Sequence, residues 1–238
     1  MEVLHRDEAL VAVDKPSGLV VHRSERAGDR DNCMRRLRDA LGEWVYPVHR
    51  LDRGASGVLL FALDPESARR IGECFARRTV RKRYLAIVRG YAPESALVDH
   101  PLGAARGATS AAQTRIRRLG RVELPAPVGR YATARYSLVC AQPLTGRTHQ
   151  LRRHLAHVSH PIIGDVNHGD GAHNRFFRDH LDCRRLLLHA HRLVLPHPTT
   201  GERVTLRAPV TGELAAVMAR LGWGAWLPAA PSQGGQGS

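Results

Sequence analysis

His49-Arg50-Leu51-Asp52-Arg53-Gly54-Ala55-Ser56-Gly57-Val58-Leu59-Leu60-Phe61 sets one carboxylate among three basic side chains, then passes through a Gly-Ala-Ser-Gly turn into pure strand composition. Asp52 stands at the tip of that loop between Arg50 and Arg53, and the rest of the chain is read outward from it.

Upstream, residues 10–14 and 19–22 read as two short strands around Lys15-Pro16-Ser17-Gly18, where Pro and Gly predict a hairpin-like turn. Residues 23–31 are polar and predict a loop, and Asn32 can cap a helix to Leu41, with Met34, Leu37 and Leu41 on one face. Downstream, residues 58–63 predict a strand. Asp64-Pro65 then opens a helix with the stripe Ala68, Ile71, Phe75, and Arg77 and Arg78 suit its negative end. Residues 79–88 read as a strand entered through a basic patch. Residues 91–128 carry little pattern beyond a strand at 113–119.

Regularity returns with a strand at 135–141 and a turn at Pro143-Leu144-Thr145-Gly146. A helix is expected over 148–157, burying Leu151, Leu155 and Val158 and sharing a polar face among Arg147, Gln150 and His154. Residues 161–170 predict a loop, 186–195 and 203–206 strands, and Thr211 caps a last helix with the stripe Leu214, Val217, Met218, Leu221. Strands and helices interleave without strict alternation, which favours an α+β fold over a doubly wound sheet. One domain over residues 1–227 is expected, with a disordered Gly/Ser-rich tail over 228–238.

Of 238 residues, 36 are Lys or Arg against 22 Asp or Glu, a net charge of +14, and lysine occurs only at Lys15 and Lys82. That excess points to a polyanionic partner, nucleic acid before membrane. No apolar run is long enough to span a bilayer, and Met1 to Arg6 lacks a signal-peptide core. Cys33, Cys74, Cys140 and Cys183 are too scattered for a zinc ribbon or a disulfide framework, so reduced thiols in the cytoplasm are expected. The chain holds 14 histidines but no H-E-x-x-H, and His154, His157 and His160 have no acidic residue among them, so no metal site is expected. Phosphate-loop and dinucleotide signatures are missing, and Gly54-Ala55-Ser56-Gly57 falls one residue short of a nucleophile elbow. Ser56 is expected to bond backbone in the turn. Asp52 remains.

Alone, an Asp in an Arg-flanked loop is most often a surface ion pair. Its context is more specific: His49 to Gly57 resembles the H-R-L-D-R-x-T-S-G signature of the RluA-type pseudouridine synthases, with Ala55 for the usual Thr. Asp14-Lys15-Pro16-Ser17-Gly18 is similar to that family's D-K-P-x-G opening. Lys82-Arg83-Tyr84 is similar to its K-x-Y strand, Gly146 to Arg152 to its G-R-T-H-Q-L-R block, and Leu188-His189-Ala190 to its late L-H-A block. These blocks keep the family's order over residues 11–206. Gly129-Arg130-Tyr131, Arg147 to His154, His160-Pro161-Ile162-Ile163-Gly164-Asp165, His168-Gly169-Asp170, His197-Pro198, Thr200-Gly201-Glu202 and Gly222-Trp223 resemble its TruC branch, which modifies uridine 65 of tRNA. With the start so close to the D-K-P block, no S4 RNA-binding domain is expected.

The resemblance implies a pseudouridine synthase fold, with a mixed, mainly antiparallel central sheet, flanking helices and a catalytic cleft. It implies isomerisation of a uridine in tRNA, with rRNA the alternative, by a monomer that needs neither cofactor nor metal. A non-catalytic RNA-binding protein is the rival from another class. By the same resemblance Asp52 attacks or deprotonates at the ribose, Tyr84 holds the uracil and helps move its proton, and Arg147 pairs with Asp52; the alternatives are a core packing role for Tyr84 and a phosphate contact for Arg147. Arg50 is expected to fill the space left by a flipped base, Leu188 to line the uracil pocket, and His49, Arg53 and Gln150 to face RNA. Lys15 is expected to be structural.

Overall fold

The computed structural model describes residues 1–22, 31–103 and 107–226. All but the last residue of the loop expected over 23–31, and the whole tail expected over 228–238, lie outside the described residues. The first half runs β1 (Val3–Arg6), β2 (Leu10–Lys15), α1 (Cys33–Leu41), β3 (Tyr46–Pro47), β4 (Ser56–Ala62), α2 (Pro65–Ala76) and β5 (Arg81–Arg89). Next come β6 (Ser95–Asp99), β7 (Leu102–Gly103), β8 (Thr109–Ser110), β9 (Gln113–Leu124) and β10 (Ala134–Pro143). The last part holds α3 (Gln150–His157), α4 (Gly171–His180), β11 (Leu188–Pro196), β12 (Arg203–Arg207) and α5 (Gly212–Arg220).

The run after Asp52 becomes β4, buried at every position, as an apolar strand covered on both faces must be. It pairs antiparallel with β2 and parallel with β11, where His189 faces Ser56 and Ala190 faces Gly57. The main path is β1-β2-β4-β11-β5-β10-β9-β6, with β12 on β11 and β3 on β4, a ten-stranded sheet in which the β4–β11 pairing is parallel and the other pairings are antiparallel. The α+β class and the mainly antiparallel sheet are therefore as expected. Gly57 is what permits the parallel contact: its φ is +104°, and a Cβ there would sit 2.4 Å from the Ala190 carbonyl oxygen.

Alternation along β5 divides the core into two layers. Ala86 and Val88, with Val139 and Ala141 of β10, pack under Leu151 and Leu155 of α3. Leu85 and Ile87, with Tyr136 and Leu138, pack against Phe177 of α4 and Leu214, Val217 and Met218 of α5. At roughly 1.5–3 kcal/mol for each large apolar side chain buried, these stripes hold the helices to the sheet. The helix starts were well marked: Asn32 accepts from Arg35 N–H and Asp64 from Ser67 N–H. Thr211 precedes α5 but makes no side-chain cap bond.

Three expectations change. Residues 19–22 form no strand, because Lys15 Nζ donates to the carbonyls of Pro16 and Leu19 and folds that segment over the end of β2. β2 pairs instead with β1 on one edge and β4 on the other, and β1 was not expected from the sequence. Nor was α4 anticipated; Asp170 caps it by accepting from Ala172 and His173 N–H.

Candidate active site

The Asp52 loop is fixed from below by the segment after β2. Lys15 is fully buried, and its three ammonium protons meet three carbonyls, those of Pro16, Leu19 and Arg53, at 2.8, 2.6 and 3.2 Å. Burial pulls its pKa down to about 8. Ser17 Oγ donates to the Gly54 carbonyl at 2.6 Å, Gly18 N–H to the Arg53 carbonyl at 2.8 Å, and Arg53 Nε back to the Gly18 carbonyl at 3.0 Å. The two residues that follow Asp52, Arg53 and Gly54, are thus clasped to this segment. Arg53, expected to face RNA, spends its Nε on this clasp.

From above, the α3 segment supplies the ion pair. Arg152 Nη1 lies 3.3 Å from Asp52 Oδ2, and its Nε and Nη2 form a two-pronged contact with Asp165 at 2.7 and 2.8 Å. The Asp165 side chain is 0% exposed and that of Arg152 9%, whereas Asp52 keeps 22% and stays reachable. Burial alone would raise the Asp165 carboxyl; the Arg152 guanidinium and the N–H groups of His168 and Asn167 outweigh it and hold the pKa below the usual range. The Arg152 guanidinium is held charged chiefly by its bonds to Asp165. Gly164, at φ +79° next to Asp165, lies directly against the Arg185 carbonyl, where a Cβ would collide at 1.9 Å.

The expected pairing of Arg147 with Asp52 is therefore corrected to Arg152. Helix geometry gives the reason: α3 begins at Gln150, after His149 in the left-handed region (φ 52°), so Arg147 is not part of the helix. It is exposed, donates from Nε to the Ala111 carbonyl at 3.1 Å, and stands at the pocket wall. Arg152 rides inside the helix between Leu151 and Leu155 on the buried flank. His149 was also missed. Its Nε2 is 4.0 Å from Asp52 Oδ1, and its Nδ1 is 3.3 Å from Nε2 of His168. A non-glycine residue bent into the left-handed region beside a carboxylate is visible only in three dimensions.

Asp52, Tyr84, Leu188, Arg50, Arg147 and Gln150 all line one cavity of about 150 Å³, together with Lys82 and Arg152. Burial, reinforced by the Asp52 charge, raises the Tyr84 pKa, so its hydroxyl remains a donor at neutral pH; it bonds no described residue. Leu188 and Ala55 supply apolar wall. Gln150 is a structural wall: its side-chain oxygen accepts from Thr145 Oγ and Arg147 N–H, and its amide donates to Gln113 O and Thr114 Oγ. Its expected exposure to RNA is corrected accordingly.

His49 likewise turns inward. Its Nε2 accepts from Leu60 N–H at 3.0 Å and its ring stacks on Phe75, while burial and the Lys82 charge press its pKa down to about 3. It ties the loop to β4, which corrects its assignment to RNA. His154 is fully buried between Thr114 Oγ and the His100 carbonyl. Ser56 bonds side chains, not turn backbone: it lies 2.8 Å from His189 Nδ1 and accepts from Arg185 at 2.6 Å. Among the described residues no group of three or more His, Cys, Asp or Glu side chains could hold a metal ion, and no helix is long and apolar enough to cross a membrane.

A carboxylate at the floor of a part-apolar pocket, with a phenol and a fixed guanidinium beside it, can attack or deprotonate a bound ring system and stabilise the charge that develops. Comparison with known proteins bears on which. A family model described as RNA pseudouridylate synthase matches residues 9–157. The tRNA pseudouridine synthase C of Salmonella typhi is 46% identical over 242 residues, spanning 96% of this chain and 92% of that protein. The tRNA pseudouridine synthase C of Vibrio cholerae is 43% identical over 235 residues, 94% and 96% of the two chains. Among solved structures, human RNA Pseudouridylate Synthase Domain Containing 4 superposes with a TM-score of 0.71 at 27% identity, covering 92% of each chain.

Proposed function

Because the chain belongs to the RNA pseudouridylate synthase family, we propose that its substrate is tRNA, that the target is uridine 65, and that Asp52 is the catalytic carboxylate. The observation that carries the assignment of Asp52 is its position: a reachable carboxylate on the pocket floor, aimed by an Arg152 that Asp165 holds rigid. The relatives that span nearly the whole chain are named tRNA pseudouridine synthase C, which supports tRNA over rRNA.

In this isomerisation the bond from ribose to the ring nitrogen breaks, the uracil turns, and a carbon–carbon bond forms to the same ribose carbon. A proton leaves the ring carbon and the ring nitrogen ends protonated, so nothing is oxidised and no cofactor is needed. The target must first leave its stack, at a cost of a few kcal/mol. Arg50 is exposed at the pocket mouth and its planar guanidinium fits the vacated space. Tyr84 and Leu188 hold the uracil between them, the Tyr84 hydroxyl donating to it, and Arg147 holds a backbone phosphate at the rim. Asp52 acts at the ribose while Arg152 keeps its second oxygen in place. All parts of the site come from one chain, which fits a monomer, and four free cysteines fit the reducing cytoplasm.

Asp52→Ala should lose pseudouridine formation by at least a thousandfold while still binding tRNA; a variant that turns over normally would remove Asp52 from the chemistry. In cells lacking the protein, pseudouridine should vanish from tRNA position 65. Loss from rRNA instead would reassign the substrate.

A further inference from the structure

On β5, Lys82 and Tyr84 face the catalytic pocket, so Arg81 and Arg83 point to the other face of the sheet. There, beyond the end of the α4/α5 layer, Arg78, Arg81, Arg83, Arg115, Arg192 and Arg203 line a second cavity of about 740 Å³. No described carboxylate forms an ion pair with any of the six. Arg192 stands directly opposite Arg83 on one side and Arg207 on the other, three like charges in one row across three strands. Such pairing costs stability, and burial together with Arg207, Arg83 and Arg203 depresses the Arg192 pKa. Arg192 Nε is buried without a hydrogen-bond partner. An arrangement that destabilises the free protein in this way is the mark of a binding site for an anion.

This trough is connected to the pocket. An intermediate cavity shares Arg78, Val80, Pro143 and Leu144 with it, and shares Arg50, Lys82, Tyr84 and Arg147 with the catalytic pocket. The path rounds the end of the sheet, and Arg81 lies only three residues, roughly 10 Å, along β5 from Tyr84. We propose that the arginine trough on the reverse face of the sheet holds the phosphodiester backbone of the same RNA whose uridine enters the pocket, so that the RNA wraps the strand ends between β5 and β10. The proposal rests on the RNA substrate argued above. Six arginines and the absence of any aromatic side chain from its lining suit it to phosphates rather than a base.

The test is the triple variant Arg83→Ala, Arg115→Ala, Arg203→Ala in the full chain, all three positions being exposed. A control triple, Arg36→Ala, Arg69→Ala, Arg178→Ala, removes the same charge from exposed sites that already pair with carboxylates. Binding of unfractionated tRNA is measured across salt concentrations. The trough triple should bind at least tenfold more weakly at 0.15 M salt, with the slope of log affinity against log salt flatter by about 2 to 3, near 0.9 per phosphate released. Single-turnover pseudouridine formation at saturating enzyme should stay within twofold of the parent. Unchanged affinity and slope, or an equal loss in the control triple, would overturn the trough. If the trough triple unfolds, the single charge reversal Arg203→Glu is read by the same criteria. If the parent protein makes no pseudouridine in any RNA yet the two triples still differ in binding, the functional reading falls and the trough stands.

Discussion

Arg152 carries two duties with one planar group, and they separate by mutation. Arg152→Ala leaves Asp165 buried without a countercharge, which should cost about 3 kcal/mol of stability as well as turnover. Adding Asp165→Ala should restore much of the stability, because the stranded charge is gone, but not the turnover, because Asp52 still lacks its partner. Urea unfolding and single-turnover kinetics on the two variants check this, and equal recovery of both would mean that Arg152 is only structural. Arg147→Ala should instead raise KM with little change in kcat. Lys15 makes a different point. Its ammonium touches no cavity shared with Asp52 but holds the Arg53 carbonyl, one residue away. Lys15→Met should lower kcat about a hundredfold with KM nearly constant, as a small displacement of the carboxylate would. A KM effect alone would place Lys15 in binding.

At the level of elements, much of the site was legible because its motifs are turns with local rules. The Asp52 loop, the caps of α1 and α2 and the strand β4 all follow from neighbours in sequence. What was not legible depends on distance. Nothing local says that His149 breaks into the left-handed region, which decides whether Arg147 or Arg152 faces Asp52. Periodicity put Gln150 and His154 on a polar face, yet both are buried, because β9 offers Thr114 and Gln113 to satisfy them. The β4–β11 contact is the long-range join, and Gly57 sets its terms. Gly57→Ala should destabilise by about 3 kcal/mol or more, since the new methyl group meets the Ala190 carbonyl and the φ is also strained. Chemical denaturation reads this directly; a near-neutral result would mean that the two strands can part without loss.

Across the molecule, histidines set the response to acid. His189 is pushed down to about 4 by burial, its Nδ1 accepting from Ser56, and His49 to about 3. His154, His168, His173 and His191 shift the same way, each first by burial. In the unfolded chain these imidazoles take up protons near pH 6.5, while folded all six do so at lower pH, His189 near 4 and His49 near 3. The unfolded state therefore binds more protons between about pH 6.5 and pH 4, so stability falls as pH drops through that window and is whole above it. Urea midpoints at pH 7.5 and pH 5 should show it, with a smaller difference in His189→Gln; a flat profile would mean these rings are protonated in place.

The strand order β4-β11-β5 has one more consequence, which concerns how the chain is made. β4 and β5 are near neighbours in sequence, yet they do not pair with each other: β11, about a hundred residues later, lies between them. A growing polypeptide leaving the ribosome must therefore carry its reactive loop and an unfilled gap in its sheet until β11 has been made. The gap closes only when Leu188–Pro196 emerges, so the catalytic pocket, whose wall includes Leu188, comes into being only then.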